Sequence, residues 1–335
     1  MRRPLPTIPA DRALLPAPPS PAEGVVSWNM NTTCNFRCSY CTQRFLDDRG
    51  RWARDLPAFI AAFGALPGES GVPWEIKLSG GEPFLHPGFL DVVTGLRDHG
   101  LFLSVVTNFS KEHLVLPFLR AAGDRLRVLS CSLHLEYVDI DDRDDDRDGD
   151  SPRARDARKE PLARFLARAQ EAEQALPPGA SLVVTCVATR ANLPRLPALQ
   201  QRFRAAGLRL KVQPEKQDRE VIDYTPHERA ALVRLGGHND TGRIAADFGG
   251  QPCWAGSRYF VVDDRGDAWR CYPARRYRAV DRGEHLGNLV HGTFRLHDAA
   301  RPCLYRYCNC TVPIARGMMP VEAGVDRLAL ATAVE

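Results

Sequence analysis

Cys34-Asn35-Phe36-Arg37-Cys38-Ser39-Tyr40-Cys41 puts three thiols on one short stretch of chain. Val25–Met30, an apolar run with strand character, delivers the backbone into it. Three thiolates on one loop can each hold one iron of a cubane cluster. The fourth iron is then left without a protein ligand and open to a small chelating cofactor. A zinc site, or three unrelated thiols, would use the same residues, so the reading depends on the surroundings.

Downstream, helical and apolar β-rich segments alternate. Helices are expected at Asp55–Leu66, Gly88–His99, Lys111–Ala122, Pro161–Leu176 and Pro197–Ala206. Strands are expected at Trp74–Leu78, Phe102–Thr107, Leu126–His134, Ser181–Ala188 and Leu208–Val212. This alternation is the signature of a parallel α/β sheet. About six units fall short of the eight that close a barrel. The expected fold class is α/β: a partial (β/α)6 TIM-type barrel, open on one side, with a small C-terminal hairpin-and-loop cluster-binding domain.

The expected organisation is a flexible, proline-rich leader over 1–23, the barrel over 24–240, a second unit over 241–315 and a tail over 316–335. Within the barrel, the aspartate- and arginine-rich run 139–159 reads as a solvated loop. A helix near Pro226–Leu235 ends this part, after which cysteine, glycine and tyrosine become prominent.

The 335 residues are 44% hydrophobic, enough for a substantial core, and 45 basic against 41 acidic side chains leave a net charge of only +4. That balance argues against a dedicated nucleic-acid binder, which concentrates basic charge on one face. No apolar run suits an export signal or a membrane span. A reducing, cytoplasmic setting is therefore expected, where clustered cysteines mean metal before disulfide.

Ser79-Gly80-Gly81-Glu82-Pro83 follows the second expected strand. Consecutive glycines let backbone approach a ligand closely, and a carboxylate can accept from an ammonium group. With Cys34, Cys38 and Cys41 one strand earlier, the pair of motifs resembles the radical S-adenosylmethionine (SAM) superfamily. That resemblance implies a [4Fe-4S] cluster on the three cysteines and SAM bound to its open iron. It implies contact between Gly80, Gly81, Glu82, Pro83 and the SAM amino group, and between Tyr40 and the adenine. Asn108 and Ser132 sit at expected strand ends, where the resemblance implies contact with SAM or substrate. Strand alternation puts Ser132, His134 and Glu136 on one face, opposite Cys131. His134 is a candidate general acid or base. Cys131 and Cys186 read as core residues, with Cys131 also a candidate hydrogen-atom donor.

In the C-terminal third, Tyr259–Val262, a turn at Asp263–Gly266 and Ala268–Arg270 read as a β-hairpin with Cys253 and Cys271 at its outer ends. Cys303, Cys308 and Cys310 follow. The set resembles the SPASM/twitch extension of radical SAM enzymes, shortened to one auxiliary [4Fe-4S] cluster. Cys253 and Cys271 are then ligands, completed by two of Cys303, Cys308 and Cys310. Four cysteines suit structural zinc equally well.

The resemblance implies reductive cleavage of SAM to a 5′-deoxyadenosyl radical, fed by an external one-electron reductant of flavodoxin or ferredoxin type. Hydrogen abstraction from a small biosynthetic substrate would lead to oxidation or epimerisation. A ribosomally made peptide is the alternative substrate. A non-catalytic zinc protein is the alternative of another class, and it leaves Gly80-Gly81-Glu82-Pro83 unexplained.

Overall fold

The computed structural model describes residues 15–42, 51–140, 160–217, 220–235, 248–277, 283–305, 308 and 312–320. Most of the charged run 139–159, the boundary at 240, Cys310 and the tail beyond 320 lie outside the described residues.

Six strands pair in parallel and in chain order: β1 (Gly24–Asn31), β2 (Trp74–Gly80), β3 (Phe102–Thr107), β4 (Leu126–Leu133), β5 (Ser181–Ala188) and β6 (Leu210–Pro214). Helices α1 (Leu56–Ser70), α2 (Phe89–Asp98), α3 (Glu112–Ala122), α4 (Leu162–Gln174) and α5 (Leu196–Ala205) form the crossovers, and α6 (Pro226–Arg234) follows β6. The α/β fold class read from the sequence is the one observed, with a sheet that does not close among the described residues.

Local chemistry sets the helix ends. Asp55 accepts from Ala58 N at the start of α1, and Gly71 ends it in the left-handed region at φ 69°. Thr225 and Glu228 form a reciprocal capping box on α6.

The register separates two faces. Ser27, Lys77 and Ser104 are cross-strand neighbours, as are Asn29 and Ser79, and Ser132 and Thr185. All lie on one face, which is consequently polar. The opposite face carries Trp28, Leu78, Val105, Leu129, Cys131, Val184 and Val212, all buried in the main hydrophobic core beneath the helices. Trp28 is fully buried and stacks on Phe59 of α1 at 4.8 Å. Burying a side chain of this kind contributes about 1.5–3 kcal/mol. A closed barrel fills its interior with branched apolar side chains; this open one keeps a hydrophilic inner surface.

The expected hairpin is present as β7 (Tyr259–Val262) and β8 (Asp267–Trp269), followed by β9 (His285–Asn288) antiparallel to β8. Its attachment is not visible in the sequence pattern. β7 pairs in parallel with β1, Val25 opposite Tyr259, so among the described residues the sheet runs β9-β8-β7-β1-β2-β3-β4-β5-β6. A second apolar cluster joins Val25, Tyr259, Val261 and Trp269 to Cys253, Cys271 and Cys308.

The leader, expected to be flexible over 1–23, is docked where it is described. Leu15 N donates to Gln251 Oε1 (2.9 Å), Trp254 Nε1 donates to Pro18 O (2.8 Å), and Glu23 pairs with Arg127 (3.1 Å).

Candidate functional site

Because β1 and β2 are parallel neighbours, the loops that leave them emerge side by side. Gly81 N donates to Asn31 O (2.9 Å), Glu82 N donates to Thr33 O (2.8 Å), and Asn31 Nδ2 donates to Glu82 O (2.8 Å). The two motifs are thus joined by hydrogen bonds to backbone atoms just before Cys34. A Cβ on Gly81 would lie 2.0 Å from Thr33 O, and one on Gly80, at φ +139°, 2.3 Å from Asn31 O. Glycine is required at both positions for the loops to approach this closely.

Glu82 is turned inward. It is fully buried, and its carboxylate accepts from Thr107 Oγ1 (2.7 Å), Asn108 N (2.6 Å) and Phe84 N (3.1 Å). Burial raises its pKa to about 7, partly offset by those donors. The side chain therefore ties the end of β2 to the end of β3, and Gly80 and Gly81 present backbone at the loop. Pro83 opens the 3-10 turn Pro83–Leu85 that follows. Asn108 is held beside the cysteine loop, where its Nδ2 donates to Asn35 Oδ1 (2.9 Å) and lies 3.8 Å from Cys34 Sγ.

β4 stops at Leu133, and a turn in which Tyr137 N donates to His134 O (2.8 Å) carries the chain onward. The turn, rather than continued strand alternation, brings His134 and Glu136 to the cysteine loop. His134 Nδ1 lies 3.2 Å from Cys38 Sγ and 2.9 Å from Tyr40 Oη. The Glu136 carboxylate accepts from Ser39 N (3.0 Å) and Ser39 Oγ. Arg37 N donates to Tyr137 Oη (2.6 Å), and Phe36 stacks on Tyr137 at 3.9 Å. Burial pushes the His134 imidazole down to about 4, against the opposing pull of Glu136, so it is neutral near pH 7. Its neighbours are a thiol and a phenol of the cysteine loop, a setting unlike that of the general acid or base expected at this position. Ser132, two residues earlier, is half-buried on the inner face.

Cys131 points the other way. It is fully buried in the apolar core and its alignment with Val184 sets it on the helix side of the sheet. The expectation that it donates hydrogen at the mouth is corrected on this ground; Cys186 is likewise in the core.

A cavity of about 500 Å³ opens against Ser39, Tyr40, Cys41 and Thr42. Arg190 beyond β5, Glu215, Lys216 and Asp223 beyond β6, and Arg276 of α7 (Tyr272–Tyr277) complete its charged walls. Arg276 Nη2 donates to Thr42 O (2.8 Å), fastening the C-terminal segment to the cysteine loop. These wall residues lie in unpatterned stretches, and sequence reading missed them.

In the C-terminal segment Cys253, Cys271, Cys303 and Cys308 gather in the second apolar cluster; Cys310 lies outside the described residues. Burial pushes Cys253 up, and Cys303 up to about 12. Arg270, only 3% exposed, threads between them. Its guanidinium donates to Ala255 O (2.8 Å), Pro302 O (2.9 Å), Cys253 O (3.3 Å), Arg301 O (2.5 Å) and Glu284 Oε1 (3.1 Å). Tyr305 Oη donates to the other oxygen of Glu284 (3.1 Å). Next to Cys271, Tyr272 Oη donates to Asn29 Oδ1 (3.1 Å) and lies 3.4 Å from Ser79 Oγ, on the polar inner face.

No protein-family model matches the chain. A probable GTP 3′,8-cyclase of Thermococcus kodakarensis is 30% identical over 110 residues, which are 32% of this chain and 33% of the relative. An S-adenosylmethionine-dependent nucleotide dehydratase of Psychrobacter lutiphocae is 30% identical over 100 residues, 27% of this chain and 34% of the relative. The chain thus spans only 33% and 34% of the length of these curated relatives. Among solved structures, native anSMEcpe with bound AdoMet superposes with a TM-score of 0.54 at 15% identity, over 80% of this chain and 78% of that one. Streptococcus suis SuiB bound to S-adenosylmethionine gives 0.52 at 15% identity, over 75% and 61%. The chain is thus similar in sequence to the cyclase and the dehydratase over 32% and 27% of its length, and it shares the fold of anSMEcpe and SuiB over 80% and 75% of it.

Cys34, Cys38 and Cys41 have the chemistry to take up an iron–sulfur cluster. Cys34 is pushed up by burial, and by Glu82 and Cys41; Cys38 is pushed to about 12 by burial, then by Cys41, Glu136 and Cys34. Thiols that oppose one another's ionisation become stable thiolates when positive charge enters among them, which iron supplies. Among the described residues, no three His, Cys, Asp or Glu side chains are arranged around a single metal ion. No described helix is long and apolar enough to cross a membrane.

Proposed function

We propose that the protein is a radical SAM enzyme acting on a small, polar biosynthetic substrate, with one auxiliary [4Fe-4S] cluster. The observation that carries the reading is the cavity of about 500 Å³ between Cys41, Tyr40 and the charged groups of Arg190, Glu215, Lys216, Asp223 and Arg276. Its volume suits a small ligand, and its walls suit one with charged groups. The named nucleotide chemistry of the curated relatives supports such a substrate.

Cys34, Cys38 and Cys41 would hold the cluster, with Gly80 and Gly81 offering backbone to the SAM amino group and Tyr40 its ring to the adenine. When bound, cluster and SAM supply a 5′-deoxyadenosyl radical that abstracts hydrogen from a C–H bond. The chain's own part is to hold these groups at the rim of the polar inner face and to keep water away. Cys253, Cys271, Cys303 and Cys308 would hold the auxiliary cluster. Tyr272 links that site to the inner face, and Cys131 is absent from it. Both support oxidation of the substrate over return of hydrogen from a thiol. An external one-electron reductant is required.

The test is iron and sulfide content after anaerobic reconstitution, in the wild type and in a Cys34→Ala/Cys38→Ala/Cys41→Ala variant. About eight irons and about four support two cubane clusters. About four and none would remove the auxiliary cluster and the oxidation argument, and zinc without iron would sink the radical reading. Cys308→Ala compared with Cys310→Ala identifies the fourth auxiliary ligand. Competition of SAM-stimulated turnover by nucleotides, sugars and peptides then separates a small substrate from a peptide.

A further inference from the structure

We propose that His134 is a positioning residue for the SAM-binding cluster: its Nδ1–H donates a hydrogen bond to the sulfur of Cys38 and raises the cluster's reduction potential. The inference rests on the proposed function and deepens it by assigning a control on the first electron transfer.

Three observations converge on this assignment. His134 Nδ1 stands 3.2 Å from Cys38 Sγ, within reach of a hydrogen bond to sulfur. The ring is fixed on two sides, edge-on to Phe36 (centroids 5.6 Å, 87°) and nearly parallel to Tyr40 (6.0 Å, 15°). The loop itself cannot slide past it, because Ser39 is held by Glu136 and Arg37 and Phe36 by Tyr137. All of these grips come from the single turn His134–Tyr137.

Ligation selects the tautomer. A sulfur bound to iron carries no proton and only accepts. A bare Nδ1 lone pair facing it would add like charge to like, so the proton belongs on Nδ1. A hydrogen bond to a cluster sulfur stabilises the reduced, more negative state and moves the potential upward. Tyr40 Oη, 2.9 Å from the same nitrogen, accepts from it as well, and its own hydroxyl hydrogen is a second donor toward Cys38.

The experiment is an EPR-monitored redox titration of full-length, reconstituted protein, reading the reduced-cluster signal that changes on SAM addition. His134→Leu removes the donor, whereas His134→Asn keeps an amide N–H at the Nδ1 position. The Leu variant is expected to show about tenfold less reduced cluster at a fixed potential, equivalent to about 59 mV for one electron. The Asn variant should stay within about threefold of the wild type. If Leu and wild type load iron equally and titrate together, the proposal is wrong. Should His134→Leu fail to load iron, the Asn variant decides: wild-type loading and potential support the hydrogen bond, and loss of iron there too overturns it in favour of packing. A wild type without any SAM-responsive signal would refute the functional reading itself, and this inference with it.

Discussion

Gly81→Ala should damage the cluster site through geometry alone. Gly81 has no left-handed backbone conformation to lose, so the effect is purely spatial. The added methyl would stand 2.0 Å from Thr33 O, 2.5 Å from Thr33 C and 2.9 Å from Thr32 C. Relief requires the backbone entering Cys34 to move by about 1 Å, and forcing extra atoms into such a contact costs about 1–3 kcal/mol. The same Thr33 carbonyl accepts from Glu82 N at 2.8 Å, so moving it also breaks the bond that joins the two motifs. Urea denaturation of the iron-free protein should lose about 1–3 kcal/mol, and reconstitution should load less iron and bind SAM more weakly. Gly68→Ala on α1, with nothing within 4 Å of the new Cβ, is the control and should gain about 0.5–1 kcal/mol. A Gly81→Ala protein with wild-type stability, iron content and SAM affinity would refute the claim that this contact sets the spacing of the motifs.

Glu82→Gln sets an amide N–H₂ against donors that now meet carboxyl oxygens, and should cost about 1–3 kcal/mol below pH 4.5. Because folding raises this pKa from 4.5 to about 7, the carboxyl contributes most below pH 4.5. The wild type's advantage over Glu82→Gln should shrink by roughly 3 kcal/mol as pH climbs to 7; a gap that widens with pH would refute the assignment. Arg270→Met strands the buried Glu284 and should lower stability by about 3–5 kcal/mol, with part recovered in Arg270→Met/Glu284→Gln; thermal melts that do not distinguish the single and double variants would contradict this coupling. Cys131→Ala should destabilise by about 1–2 kcal/mol as a core truncation and leave SAM cleavage per iron unchanged. Loss of product at full stability would restore its role as a donor.

The barrel was legible because its code is local. Phe102–Thr107 and Ser181–Ala188 are β-rich runs bounded by helical patterns, and the structure keeps those bounds. The side occupied by Cys131 follows from alternation with Ser130 and Ser132. What escaped depends on contacts distant in sequence. Tyr259–Val262 reads as a hairpin arm, and nothing in its composition names β1 as its other neighbour. Arg190, Lys216 and Arg276 belong to three segments that meet only after the sheet has formed. Glu136 was read on the face of Ser132 by assuming that the strand ran on. It reaches Ser39 because the chain turns after Leu133 instead.

The pairing of β1 with β7 carries a consequence for how the molecule is made. Ser27 and Tyr259, hydrogen-bonded across that junction, are 232 residues apart. During synthesis the first strand of the sheet is finished long before its outer neighbour exists. Until Tyr259–Val262 emerges, β1 offers an unpaired edge beside the cysteine loop, a template for unwanted strand association. Such a distant contact also makes closure of this side a slow, late step. The cysteine loop therefore acquires its final surroundings only after Arg276, which fastens to Thr42, has been translated, and iron delivered earlier would meet an unfinished nest.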